Sequence, residues 1–330
     1  MKKYLAIFAV LFTVILSSCS NDDIPVSQSI TFKVNPSTVV SSFDEYDAGE
    51  LTVFPKGYLL RVRLLIYNEA GKLVSSDVQT FGDYSHIMSS SQNLEDGNYT
   101  VISTTDVITR EDDQYAWILT GEENLTSLTI TKTEYIRQQW GILGLETTHV
   151  NITSSTKDVN IDVKPAGALA IVFYNNWNHY SDVLKYKLNS DKVADNLILN
   201  SDGTPQYSVK SSSNTDYRIS LVTWDSNYSG AYRYIFLFPM QNATLQFKCE
   251  CDDDKTYLLG EPAKVDIEKG KEYLFSIDVE TDKAEWYDIT PSNNRSSMEK
   301  ASFFRSGNYV PLLGLDVNSI NDFTGVNGKK

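Results

Sequence analysis

The feature that most constrains this chain is alternation. Ile30, Phe32 and Val34 alternate with Thr31 and Lys33, and Leu60, Val62, Leu64 and Ile66 alternate with Arg61 and Arg63. A period of two sends successive side chains to opposite faces of an extended backbone, so these runs specify strands with one buried face. Leu65 and Tyr67 make the second face of the latter strand partly apolar as well. Glu69-Ala70-Gly71-Lys72 turns the chain, and Leu73 to Thr80 reads as the return strand. Asp96-Gly97-Asn98 is another turn signal, placed before Tyr99 to Thr104. Tyr115 to Leu119 and Leu125 to Thr131 complete a first series, and Thr133 to Trp140 is predicted as a short helix limited by Gly141 and Gly144.

A second series begins near residue 158. Val159, Ile161 and Val163 alternate, Pro165-Ala166-Gly167 interrupts, and Leu169 to Tyr174 resumes the pattern. Val183 to Leu188, Tyr207 to Lys210, Tyr217 to Thr223, Tyr232 to Phe238, Leu245 to Cys251, Tyr257 to Leu259 and Tyr273 to Val279 follow as strands. Turns every ten or so residues are what an antiparallel sandwich requires. The 20 Tyr, 14 Phe and 5 Trp, set among Val, Ile and Thr, fit pleated surfaces better than helices. The expected fold is therefore all-β, with two tandem antiparallel β-sandwich domains at 28–157 and 158–290. Residues 291–330 form a polar tail or an added strand.

The first residues carry an address. Lys2 and Lys3 precede an apolar stretch from Tyr4 to Leu16, too short for the ~20 residues that cross a bilayer as a helix. A basic start, a short apolar run and small residues before a cut are the parts of a secretory signal, here residues 1–18. Leu16-Ser17-Ser18-Cys19 resembles the lipobox of bacterial lipoproteins, which implies cleavage before Cys19 and acylation of its thiol. More than one acyl chain gives stable anchoring, since each buried CH₂ contributes ~0.8 kcal/mol. Residues 19–27 then form a lipidated tether. Ser20-Asn21-Asp22-Asp23 resembles the export signal that sends Bacteroidales lipoproteins to the outer face of the outer membrane. Loss of Lys2 and Lys3 with the signal takes the formal net charge from −14 to −16. That balance excludes nucleic acid as a partner, because phosphates need concentrated Lys and Arg.

Chemistry is sparse. His86, His149 and His179 are scattered, no metal-spaced Cys/His cluster exists, and neither a G-x-S-x-G elbow nor a phosphate-binding glycine loop is present. Three cysteines cannot make a disulfide scaffold. Cys249 and Cys251 continue the apolar face of Leu245 and Phe247, where buried cysteine acts as a small hydrophobe. Glu111-Asp112-Asp113, Glu122-Glu123 and Asp252-Asp253-Asp254 read as solvated turns rather than calcium loops. No metal, cofactor or catalytic residue is assigned. Trp177 and Tyr180, beside Asn175, Asn176 and Asn178, and Trp224 with Tyr228 are candidate glycan contacts, since a ring next to amides offers an apolar face with hydrogen-bond partners.

Leu60 to Val74, ending in Ile66-Tyr67-Asn68-Glu69-Ala70-Gly71-Lys72-Leu73-Val74, resembles the fimbrillin-like lipoproteins of Bacteroidales. So do Val163-Lys164-Pro165-Ala166-Gly167-Ala168 and Lys269-Gly270-Lys271-Glu272-Tyr273 leading to Trp286. The resemblance includes the minor-fimbria anchor and accessory subunits. It implies two transthyretin-like sandwiches and assembly by β-strand addition. Shaft subunits of that family are trimmed near the N-terminus, and no arginine lies between Cys19 and Arg61, which points to an anchor or accessory role. The expectation is a non-enzymatic, lipid-anchored, surface-exposed outer-membrane lipoprotein, structural or adhesive, with fimbrial subunits as partners. The competing reading is a glycan-binding lipoprotein of a polysaccharide uptake system.

Overall fold

The structure, a computed structural model, describes residues 27–41, 43, 54, 56–109, 115–133, 141–175, 183–189, 193–208, 230–251, 256–278 and 283–288. Along the first part of the chain lie β1 (Gln28–Asn35), α1 (Ser37–Ser41), β2 (Tyr58–Asn68), β3 (Leu73–Phe81), β4 (Met88–Leu94), β5 (Gly97–Thr109), β6 (Trp117–Thr120), β7 (Thr129–Lys132), β8 (Gly144–Ile152) and β9 (Asp158–Asp162). The second part holds β10 (Ala168–Asn175), β11 (Val183–Asn189), β12 (Asn196–Leu199), β13 (Pro205–Ser208), β14 (Gly230–Leu237), β15 (Met240–Cys251), β16 (Thr256–Ile267), β17 (Glu272–Asp278) and β18 (Lys283–Asp288). The fold is all-β, as the alternation requires.

Among the described residues the strands form five sheets. Sheet one has the order β4-β1-β9 and sheet two β3-β2-β5-β8. Sheet three runs β13-β12-β7-β6, sheet four β14-β10-β17-β18 and sheet five β11-β15-β16. One plan occurs twice. In sheet one, β1 sits between antiparallel β4 and parallel β9. In sheet four, β10 sits between antiparallel β14 and parallel β17. Parallel neighbours need a long crossover, which is why β9 and β17 come so late after their partners.

Sheet two is a central layer. The register pairs Arg61 with Asp106 and Val62 with Thr105, so these pairs lie on opposite faces. On the Val62 face, a Cβ added to Gly144 would meet Thr105, Val39 of α1 and Val163, which follows β9. On the Arg61 face, the guanidinium reaches the main chain of Trp117 in β6. Both faces of β2 are therefore covered, and Leu60, Val62, Leu64, Leu65, Ile66 and Tyr67 are all at most 1% exposed. A single apolar cluster runs from Ile30 and Phe32 through Trp117 and Leu197 to Phe236 and Phe238. Each such side chain contributes ~1.5–3 kcal/mol on burial.

The structure corrects several expectations. Arg61 and Arg63 do not form an exposed polar face: Arg61 is 7% exposed, because sheet three covers that side. Leu125 to Thr131 is not one strand, since Leu125–Ser127 is a 3-10 turn and only then does β7 begin. Asp96-Gly97-Asn98 does turn the chain, but β4 pairs with β1 while β5 pairs with β2 and β8, so the turn crosses between sheets instead of closing a hairpin. Strand pairing also crosses residue 157. β9 hydrogen-bonds to β1, and β12 extends β7 antiparallel with Leu197 opposite Ile130. The segment between β9 and β10 is pinned as well: Leu145 N donates to Lys164 O, and Ala166 N donates to Leu143 O.

Candidate interaction surfaces

Cys19, Trp177, Tyr180, Trp224 and Tyr228 lie outside the described residues, as do residues 134–140 of the expected helix and the acidic runs at 111–113 and 252–254. Cys249 and Cys251 stand two apart on β15, with Cys249 opposite Tyr186 of β11 and Tyr257 of β16. Among the described residues no group of three or more His, Cys, Asp or Glu is placed to hold a metal. His86 belongs to a local turn, where its Nδ1 lies 2.9 Å from Asp83 and its ring stacks on Phe81 at 5.7 Å. Glu123 serves the fold through its backbone, accepting from Leu73 N.

The strongest electrostatic feature is internal. Arg61 Nε donates to Asp106 Oδ1 at 2.8 Å and its Nη2 to Asp106 Oδ2 at 2.7 Å. A third guanidinium bond goes to Trp117 O at 3.1 Å, and the Tyr115 ring lies 4.5 Å from the guanidinium carbon. Burial pushes the Asp106 carboxyl above its ordinary value, and the Arg61 bonds pull against that. Directly opposed on β2 and β5, with side chains 8% and 2% exposed, the two groups fasten the central sheet to sheet three. The pair is buried and serves the architecture.

Two features face solvent. The first is an open groove of about 370 Å³ where β5 begins and β8 ends beside the β2–β3 turn, lined by Glu69, Asn98, Tyr99, Thr100, His149, Val150 and Asn151. Register places Asn98 opposite Asn151 and Thr100 opposite His149. Asn151 Nδ2 donates to Asn98 Oδ1 at 2.6 Å, and Thr100 Oγ1 lies 3.2 Å from His149 Nδ1. Each bond fixes one end of a side chain and leaves another polar atom for a ligand. Gly203 packs beside Thr100 and Thr147, its carbonyl accepting from Thr147 Oγ1 at 2.8 Å. What this arrangement supplies is directional hydrogen bonding. The sequence reading did not single it out, because its residues are ordinary polar positions until β5 and β8 pair.

The second feature is the β3 edge of sheet two. β3 pairs with β2 on one side and has no strand on the other among the described residues. Along it burial alternates strictly, with Val74, Ser76, Val78 and Thr80 exposed. Val74 is 45% and Val78 52% exposed, two of the five exposed large apolar side chains among the described residues. At its Leu73 end the edge is engaged by residues 123–125, with Leu73 N donating to Glu123 O and Leu125 N to Gly71 O, and on the less exposed face Gln79 Nε2 donates to Ser89 O and Ser75 hydrogen-bonds to Gln92, both of β4.

No family model matches this sequence, and no curated protein matches it either. Among its structural neighbours are proteins of Bacteroides and Porphyromonas. One, proposed to be an adhesin from Bacteroides thetaiotaomicron, is 11% identical with a TM-score of 0.49, the match covering 80% of this chain and 95% of that one. Another from the same organism, proposed to bind polysaccharide, is 13% identical with a TM-score of 0.47 and covers 81% and 99%. The fimbrial anchor protein Mfa2 of Porphyromonas gingivalis is 12% identical with a TM-score of 0.44 and covers 79% and 96%. At these identities the likeness concerns fold alone.

Proposed function

We propose that this chain is a non-enzymatic cell-surface lipoprotein, held at the outer membrane by acyl chains on Cys19, that works in adhesion or fimbrial assembly by offering a sheet edge to a partner strand. The observation that carries this reading is the β3 edge: nine residues long, flanked by strand on one side only, and bearing two exposed valines. An open edge presents unpaired N–H and C=O groups, and an added strand gains main-chain bonds together with alternating side-chain contacts. Two of the structural neighbours are named an adhesin and a fimbrial anchor, which are roles of this kind. Cys19→Ala should move the protein out of the membrane fraction, read by fractionation and immunoblot; unchanged membrane association would remove the lipid anchor. Pulldown from detergent-extracted outer membrane should recover a partner that Val78→Lys releases.

The groove at Asn98, His149 and Asn151 favours a second reading, a glycan-binding surface lipoprotein of an uptake system. Its amide and imidazole atoms suit sugar hydroxyls. Glycan-array binding lost on Asn98→Ala, with partner pulldown negative, would select that reading over the first.

A further inference from the structure

From the register and composition of β3 we infer that its edge is a self-complementary surface whose partner is a second copy of this chain. The inference rests on the strand-addition reading above and goes further by naming the partner. The exposed side chains of β3 run Val74, Ser76, Val78, Thr80. An antiparallel pairing with a two-fold axis at Ser76 sets Val74 against Val78 of the partner subunit and Val78 against the partner's Val74. Each valine then covers the other, on the same face, since directly opposed residues share a face. Ser76 meets its own copy on the axis and Ser75 lies opposite Asp77; the pairing stops at Val74 and Val78, since Leu73 N already donates to Glu123 O and Lys72 is bridged to Asn124.

Neighbouring registers are worse. An axis at Asp77 sets two carboxylates directly opposite each other, and like charges so placed destabilise a sheet. Moving the axis to Ser75 faces Val74 with serine and Val78 with Lys72, leaving both valines without an apolar partner. The Ser76 register is therefore the one that matches both valines and opposes no like charges.

The edge is lightly guarded: β3 carries no Lys and no Pro, and its guards are one charge, Asp77, and a register shift that leaves Val74 between the paired residues Leu73 and Ser75. Asp77 is turned to local duty, accepting from Val78 N and from Gln79 Nε2. The joined sheet would run through eight strands, four from each copy, with order β8-β5-β2-β3 followed by its mirror across the axis. A pairing of five residues per copy, Val74 to Val78, lies at the small end of protein interfaces, below ~1,200 Å², so the dimer is weak and strengthened by crowding on a surface. Association should also tighten as salt screens the mature chain's net charge of −16.

The test is oxidative cross-linking in cells expressing the full chain. In the predicted register the two copies of residue 76 stand ~4.5–5.5 Å apart at Cα, within disulfide reach. Ser76→Cys should give a homodimer band on mild oxidation, absent from the parent chain with its native cysteines. Thr80→Cys, which lies beyond the paired residues, should give at least tenfold less. Adding Val78→Lys to Ser76→Cys should reduce the band tenfold or more; Val78 is exposed enough for that change to leave folding intact. Equal cross-linking at both positions, no band at Ser76→Cys, or insensitivity to Val78→Lys would each overturn the homodimer. An adduct between the Ser76→Cys chain and a different protein would overturn it too, while leaving the strand-addition reading standing.

Discussion

At the scale of single residues, two buried cations show how one charge can hold the fold while another costs it stability. Arg61 is matched by Asp106 through two short bonds, so removing one partner strands the other. Asp106→Ala should lower unfolding free energy by ~3–5 kcal/mol, measured by urea titration, while the double change Arg61→Met with Asp106→Leu should cost clearly less than Asp106→Ala alone. Lys132 is the opposite case. Its Nζ donates to Phe236 O at 3.2 Å, yet burial lowers its pKa to about 7, with Asp195 opposing the shift. The folded pKa is depressed, so between pH 7 and the ordinary lysine value the unfolded chain binds more protons and stability rises with pH. Below pH 7 the full penalty is present. Lys132→Met should raise the melting temperature at pH 7 and flatten the rise from pH 7 to 10; a slope unchanged by the substitution would contradict this. In sequence Lys132 is simply the end of a short strand, and nothing there signals that Trp117 and Phe236 will close over it.

At the scale of elements, local chemistry settled the hairpin between β2 and β3. Asn68 Oδ1 accepts from Ala70 N and Lys72 N, and Gly71 sits at φ +73°, a left-handed position that glycine adopts without strain. Two of the strands that escaped the sequence reading, β4 and β8, have inward positions or neighbours that mask their alternation. β4 turns Met88, Ser90 and Leu94 inward, so its pattern is masked by serine. β8 shows little alternation because its ends and middle face different neighbours: Leu145 is in the core, whereas His149 lines the open groove. Gly144 at the start of β8 shows what packing demands of a single position. A Cβ there would fall 2.2 Å from Thr105 Oγ1 and 2.8 Å from both Val163 and Val39. Gly144→Ala should destabilise by ~1–3 kcal/mol through overpacking, read as a lower denaturant midpoint with unchanged slope.

At the scale of the whole molecule, pairing between distant segments is what unites the chain. Parallel β9 completes sheet one, and β12 with β13 completes sheet three, so a fragment of residues 28–157 would lack three strands of the sheets it begins. Such a fragment should be less protected in amide hydrogen exchange across β1 and β7 than the same strands in the full chain; equal protection would show that the later strands add nothing. The sequence by itself determined that the chain is built of strands, where several of them begin and turn, and that Leu16-Ser17-Ser18-Cys19 marks an expected anchor. Those properties are local: side-chain shape, alternation and turn residues act within a few positions of one another. Only the tertiary structure decided that β4 leaves its neighbour β5 for β1, that Arg61 is interior, that Asn98 and His149 share a groove, and that β3 keeps an open edge. Each of those depends on which strands meet across more than twenty residues of chain. Period-two patterning says that a strand has a face to bury, while the partner that buries it is selected by the packing of whole layers.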